Sequence, residues 1–341
     1  MGVSDITLAK TDQIQITPTV GPAFLEDVAL DWSVTEGSSV TVEDGLIKAV
    51  GIGDSVVTAT HAKGASASLK VSVKDVDVVA GRKPVADSIR DMKLENSTSL
   101  KVIGTLSSED FKALNAMKSL TSLDLSGAEN VILADEAFID NTKLTSIVLP
   151  DGLTAIGAQA FAGTAALKSI ELPSTVKVIH AGAFALSKIE SIKLNEGLEE
   201  IQVQAFASCT KAAPIELPST LKVIGDSAFQ LTKVKSSGKN VLVLPSSLQT
   251  VGSYAFSKNN GITAVILPES IKQIYNNSFP DTIGKYTFKG SIPPQVIVDG
   301  KATINKNANV YVPKDAVDTY KSSVAIKDTF DVKKIQPISQ D

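Results

Sequence analysis

The chain holds one cysteine and two histidines, the side chains that most often serve as nucleophiles, general bases or metal ligands near neutral pH. With Cys209 alone, no disulfide can form within the chain. His61 and His180 lie far apart in sequence, and no spacing brings them and Cys209 together as a Cys–His pair or a His/Cys zinc site. Cys209 stands where corresponding segments carry Thr or other polar residues, which reads as a packed small side chain rather than a nucleophile. Glu109-Asp110 and Glu199-Glu200 read as solvated acids rather than the facing carboxylates of a glycosidase. No Gly-rich phosphate loop appears, since Gly51-Ile52-Gly53 belongs to a β-turn. The expectation is a protein that is not an enzyme, with no cofactor and no metal.

The bulk properties narrow the partners. The formal net charge of −4 gives no general drive toward nucleic acid or an anionic membrane. No run of 18 apolar residues exists to span a bilayer, and no signal peptide or lipid anchor is visible. Met1-Gly2 looks like a start placed on a mature segment, and Ile6 stands where a myristoylation signal needs Ser or Thr. At 341 residues, with 43% hydrophobic and 21% charged content, the chain can form two domains and a large core.

What must position any functional side chain is a repeat. Leu144-x-x-Ile147-x-Leu149-Pro150, then Leu153-x-x-Ile156, then Ala160-Phe161, returns along the chain. The phenylalanines fall at 138, 161, 184, 206, 229, 256 and 279, in steps of 23, 23, 22, 23, 27 and 23. From Pro150, Pro173, Asn195, Pro218, Pro245 and Pro268 to the next of these phenylalanines is always 11 residues. Length changes therefore fall between Phe and the next Pro. That segment is the tolerant loop, with its largest insertion at Lys233–Lys239. A fixed period in the twenties with Leu and Ile at fixed offsets marks a leucine-rich solenoid. Ile147 and Leu149 share the core face of a short strand, while Ser146 and Val148 point out. Phe161, Phe184, Phe206, Phe229 and Phe256 are expected in one buried column.

The flanks depart from the period. Residues 85–125 read as a divergent first repeat: a strand around Leu100-x-Val102, a helix over Ser107–Met117 with Ser107 or Ser108 as its N-cap, then a strand at Leu120–Leu125. Residues 1–76 carry about seven short alternating runs, including Val28-x-Leu30-x-Trp32-x-Val34, Val40-x-Val42 and Leu69-x-Val71-x-Val73, with a turn at Asp44-Gly45. This argues for a small β-sandwich with Trp32 as a core anchor. The fold class is mainly β: an N-terminal immunoglobulin-like β-sandwich (1–76), a linker (77–88), a leucine-rich-repeat solenoid (89–282) and a C-terminal cap (283–341).

Outward strand positions form two columns. One is Ser146, Ser169, Ser191, Pro214, Val241 and Ala264, and the other is Val148, Glu171, Lys193, Glu216, Val243 and Ile266. Lys168, Glu171, Glu190, Lys193 and Glu216 make a polar patch of both signs, the candidate binding residues of a concave strand face. Val241, Val243 and Ile266 make an apolar end. A solvated sheet with charges paired across strands is the plainer reading of the same residues.

The repeats, with Leu-Pro-x-x-Leu-x-x-Ile and Ala-Phe, resemble the BspA-type leucine-rich repeats of bacterial surface proteins. Val310-Tyr-Val-Pro-Lys-Asp-Ala-Val-Asp-Thr-Tyr320…Phe330 resembles the end piece of that family, without the Trp that often precedes this Phe. Residues 5–73, with Pro18, Trp32-Ser33, Val40–Gly45 and Ala49-Val-Gly-x-Gly53-x-x-x-Val57-Thr-Ala59, resemble the group 2 bacterial immunoglobulin-like domain. These resemblances imply a secreted or surface-anchored protein, often from Bacteroidetes, that adheres to an extracellular protein or glycan. They imply no nucleic-acid partner. The chain is expected to be a monomer. The alternative is a non-catalytic structural part of a larger surface assembly.

Overall fold

The structure, a computed structural model, describes residues 6–9, 13–16, 30–50, 53–61, 64, 66–74, 77–81, 83–92, 94–234, 240–298 and 304–339. The readings that rest on Pro18, Val28, Gly51-Ile52, Arg82 and the 235–239 insertion lie outside the described residues.

The N-terminal segment forms two small sheets. One orders β1 (Ile6–Ala9), β7 (Ser66–Lys74), β6 (Gly53–His61) and β3 (Leu30–Glu36). The other orders β2 (Gln13–Gln15), β5 (Leu46–Ala49) and β4 (Val40–Glu43). Pairing is antiparallel except between β1 and β7. Asp44 and Gly45 both have positive φ, 47° and 75°, the twist that a two-residue hairpin requires. Ile47, Val57, Leu69 and Val71 from both sheets bury a shared apolar cluster. Trp32 packs on its flank only half-buried, so it is a side wall of this cluster rather than its centre.

From residue 77 the chain winds as a solenoid with a single continuous core from Val78 to Ile335. Two strands per coil build two faces, where the sequence reading recognised one. The front ladder is parallel and comes in three pieces. The first is β8 (Asp77–Val79), β9 (Ser99–Ile103), β10 (Ser122–Asp124) and β12 (Ser146–Val148). The second is β14 (Ser169–Glu171) and β16 (Ser191–Lys193). The third is β19 (Val241–Val243), β21 (Ala264–Leu267), β23 (Lys285–Phe288), β25 (Asn309–Val312) and β26 (Ile335–Pro337). The rear ladder runs unbroken and parallel through β11 (Ile132–Leu133), β13 (Ala155–Ile156), β15 (Val178–Ile179), β17 (Glu200–Ile201), β18 (Val223–Ile224), β20 (Thr250–Val251), β22 (Gln273–Tyr275) and β24 (Gln295–Ile297). Both ladders thus continue past residue 282. The 77–88 segment, read above as a joint, carries β8 and the start of helix α1 (Val85–Asp91).

The Ala-Phe corner closes each coil. Phe138, Phe161, Phe184, Phe206, Phe229, Phe256 and Phe279 stack face to face at centroid spacings of 5.1–5.7 Å. Edge-on rings end the stack, Phe111 at 86° and Tyr286 at 75°. Two residues before and after Phe, the backbone enters the left-handed region, as at Glu136 and Asp140, Gln204 and Ser208, or Ser227 and Leu231. This turns alternate N–H groups along the solenoid axis. The N–H groups of 136, 138 and 140 donate to the carbonyls of 158, 160 and 162, and those of 159, 161 and 163 to 181, 183 and 185.

The solenoid's start is held by α1 and α2 (Ser108–Asn115). Ser107 is the N-cap of α2 in a reciprocal capping box with Asp110. The Asp110 carboxylate also accepts from the Val85 N–H at 2.7 Å, supplying α1 with the cap that Pro84 cannot. Burial pushes the Asp110 pKa up, but the N–H groups of Val85 and Ser107 and the Ser107 hydroxyl outweigh it and hold the carboxyl below its ordinary value. The C-terminal cap carries a short 3-10 turn at Lys314–Ala316 followed by α3 (Val317–Ser322) and α4 (Val324–Thr329).

Candidate functional site

The residues with intrinsic reactivity are spent on packing. Asn141, Thr164, Ser187, Cys209, Thr232 and Asn259 form one buried column beside the phenylalanine stack. The Asn141 amide donates to Asn115 Oδ1, while three of the others donate to phenylalanine carbonyls: Thr164 to Phe161, Thr232 to Phe206, and Asn259 to Phe229 and Phe256. The Cys209 thiol does the same toward Phe184 at 3.0 Å, and burial pushes its pKa up, away from the reactive thiolate. His180 occupies the column that holds Gly157, Gly225 and Gly252 in other coils, and its Nδ1 lies 3.1 Å from Gln202 Oε1 in the next coil. His61 lies in β6, so the structure does not bring the histidines and Cys209 together. Glu199 pairs with Lys222 at 2.7 Å, and Glu109 with Lys112. Asp110 corrects the reading of that pair as solvated: it is a buried helix cap, because two helix N-termini converge on it. Among the described residues, no three His, Cys, Asp or Glu side chains gather as a metal would require. No helix among them is long and apolar enough to cross a membrane.

The front face is where exposed polar groups converge. Strand alternation buries Ile147, Leu149, Ile170, Leu172 and Leu194 and exposes Ser146, Val148, Glu171 and Lys193. Ile192, expected inside, is half-buried. Glu171 and Lys193 are direct cross-strand partners in the β14–β16 register. Lys168 and Glu190 sit one position ahead of these strands and pair at 3.4 Å, both largely in water. Such an exposed pair contributes little to stability. Beyond β16 the ladder stops, because Pro214 has no N–H where the next strand would pair. The coil stays alongside through the Ala213 N–H to the Glu190 carbonyl. A groove of about 840 Å³ opens on this face, from Ile147 across the earlier break between β12 and β14 to Pro218 beyond β16. Glu171, Lys193 and Glu216 line it, together with Asp151, Glu196, Ile192 and Pro173, Pro214 and Pro218. Lys168 and Glu190 are not among its lining residues. At the apolar end, Val243 is exposed while Val241 and Ile266 are half-buried, so the patch is smaller than alternation implies.

Residues 131–239 and 237–288 match the family model of the BspA type leucine rich repeat region, in six copies. Over these residues, under half of the chain, the coils are similar to BspA type leucine-rich repeats. Three solved structures are similar. The pneumococcal vaccine antigen PcpA is 14% identical over 80% of this chain and 86% of its own, with a TM-score of 0.34. A leucine-rich repeat protein from Bacteroides ovatus ATCC 8483 is 16% identical over 93% and 99%, with a TM-score of 0.38. A leucine rich cell surface protein from Faecalibacterium prausnitzii A2-165 is 18% identical over 72% and 75%, with a TM-score of 0.32. No curated protein matches the chain.

Asp151 and Glu196 are groove residues that the strand columns omitted. Within the matched coils they occupy one register, the position after Pro150 and after Asn195, shared by Ser174 and Ser219. Aligning coils on the constant Pro-to-Phe offset finds them. Glu196 is steadied there by the next coil, accepting from the Ser219 N–H at 3.1 Å and its hydroxyl at 2.8 Å.

Proposed function

We propose that the chain is a non-catalytic binding protein of the bacterial surface or extracellular space that captures a macromolecule on the front face of its solenoid. The observation that carries this reading is the groove at Glu171, Lys193 and Glu216, on a face built from stacked strands. A solenoid offers an extended surface rather than an enclosed reaction site. The surface location rests on the repeat family and its resemblances. In this reading residues 1–76 are an immunoglobulin-like spacer, supported by two sheets that share one core. Residues 77–88 join that spacer to the solenoid while β8 already pairs with its first coil, 89–282 are the repeats, and 283–341 are a cap that prolongs both ladders.

The test is binding of the full chain to arrays of matrix proteins and glycans, repeated with Glu171→Lys and Lys193→Glu combined. The exchange leaves net charge unchanged. Capture of a partner that the exchange weakens supports the front face, and capture that survives it removes the front face as the site. A second reading, a structural part of a surface assembly, is favoured by Ile292, Val298 and Val324, exposed at 82%, 69% and 71%. Light scattering decides between them: a monomer across concentration supports capture, and self-association lost in Ile292→Ser supports assembly.

A further inference from the structure

The groove's charges and walls say what it takes, provided the front face is the binding surface as proposed above. Among the described residues, Asp151, Glu171, Glu196 and Glu216 place four carboxylates in it beside the ammonium of Lys193. A concave surface lined mainly by one sign concentrates its field and attracts the opposite charge. The remaining walls are strand and loop side chains and three prolines, with no aromatic ring among the described lining residues. It therefore lacks the flat faces on which sugars stack. The carboxylates come from four consecutive coils, about 14 Å at the usual strand spacing of roughly 4.8 Å. An extended chain of four or five residues covers that length at about 3.4 Å per residue. We infer that the groove binds an extended polypeptide segment bearing several Lys or Arg side chains, laid across the coils along the solenoid axis.

The test uses the full chain and fluorescently labelled pentalysine, with binding followed by anisotropy at several salt concentrations. Pentalysine is expected to bind, more weakly as salt rises. Asp151→Lys with Glu171→Lys is expected to weaken binding by about tenfold or more, and Lys193→Glu to strengthen it severalfold. Glu95→Lys with Asp281→Lys changes net charge by the same amount outside the groove and is expected to alter affinity by less than about twofold. Equal effects of the two double reversals would mean general charge attraction and overturn the inference. So would undetectable binding, or tighter binding of a glucosamine pentamer than of pentalysine. These outcomes are separable from failure of the broader reading. Array partners that are not basic, yet are lost on exchanging Glu171 and Lys193, would keep the front face and remove the cationic segment.

Discussion

Truncating Phe184 to Ala tests the architecture most directly. The ring is fully buried and stacks on Phe161 at 5.3 Å and on Phe206 at 5.1 Å, nearly parallel to both. Removing a buried Phe costs about 3–5 kcal/mol through lost burial and the cavity left behind. Each aromatic pair adds about 0.5–1.5 kcal/mol beyond its area, and both pairs are lost together. The expected loss is therefore at the upper end, about 5 kcal/mol. Each coil touches only its neighbours, so the damage should also uncouple the coils on either side. Urea denaturation followed by circular dichroism should show a lower midpoint and a broader transition. A double-mutant cycle separates stacking from burial. Phe184→Leu and Phe206→Leu should couple by about 0.5–1.5 kcal/mol. Phe184→Leu and Phe279→Leu, four rings apart, should be additive within about 0.5 kcal/mol. A loss below about 1 kcal/mol for Phe184→Ala, or equal coupling in both cycles, would refute a core organised around this stack.

Asp110→Asn should cost about 1–3 kcal/mol at neutral pH, since two helix N-termini lose a charged acceptor. The folded carboxyl lies below its ordinary value, so its stabilisation is complete above about pH 4 and is lost as pH falls through the lower folded value. Acid titration of stability should be shallower in the variant, and an unchanged acid limb would remove Asp110 as a cap. The Tyr286 hydroxyl is buried with no hydrogen-bond partner among the described residues, so Tyr286→Phe should be neutral or stabilising by up to about 2 kcal/mol in thermal melts. Destabilisation would reveal a partner for that hydroxyl. Leu186 is 63% exposed at a φ of 60°, so Leu186→Gly should stabilise by up to about 1 kcal/mol, and a clear loss would mean that its side chain packs.

The repeat, its register and the phenylalanine column were legible because burial fixes them. An inward residue in one coil must meet inward residues in the next, so Ile147, Ile170 and Phe161 recur at fixed offsets. The left-handed pairs were not legible. Only Gly163 and Gly182 advertise them, while Gln204, Leu231 and Tyr254 adopt the same conformation because hydrogen bonds between coils hold them there. The rear ladder was hidden for a different reason. Its strands are mostly two residues long, too short for alternation to show, and Leu153-x-x-Ile156 reads equally well as core filling. At the candidate site, outward columns identified Glu171, Lys193 and Glu216. The groove itself spans two breaks in the front ladder, after β12 and after β16, and only the second is marked by a proline in the strand.

The axial hydrogen bonds at the phenylalanine corner all point the same way, from the N–H of one coil to the carbonyl of the next. In ordinary sheets strand dipoles largely cancel, but here peptide dipoles of about 3.5 D each add in line. This corner column therefore has an electrical polarity, negative toward its beginning and positive toward its end, while bonds elsewhere in the coils, such as the Lys177 N–H to the Thr154 carbonyl and the Lys188 N–H to the Thr164 carbonyl, run the other way. Its two termini cannot be closed by the same chemistry. The beginning presents carbonyls and needs a donor, which the Asn115 amide supplies to the Ile139 carbonyl at 3.1 Å, in the register of a missing coil's N–H. Whatever closes the far end must offer acceptors instead. Coils can be added or removed between the ends without disturbing this requirement, but an end piece moved to the opposite terminus would meet groups of its own kind.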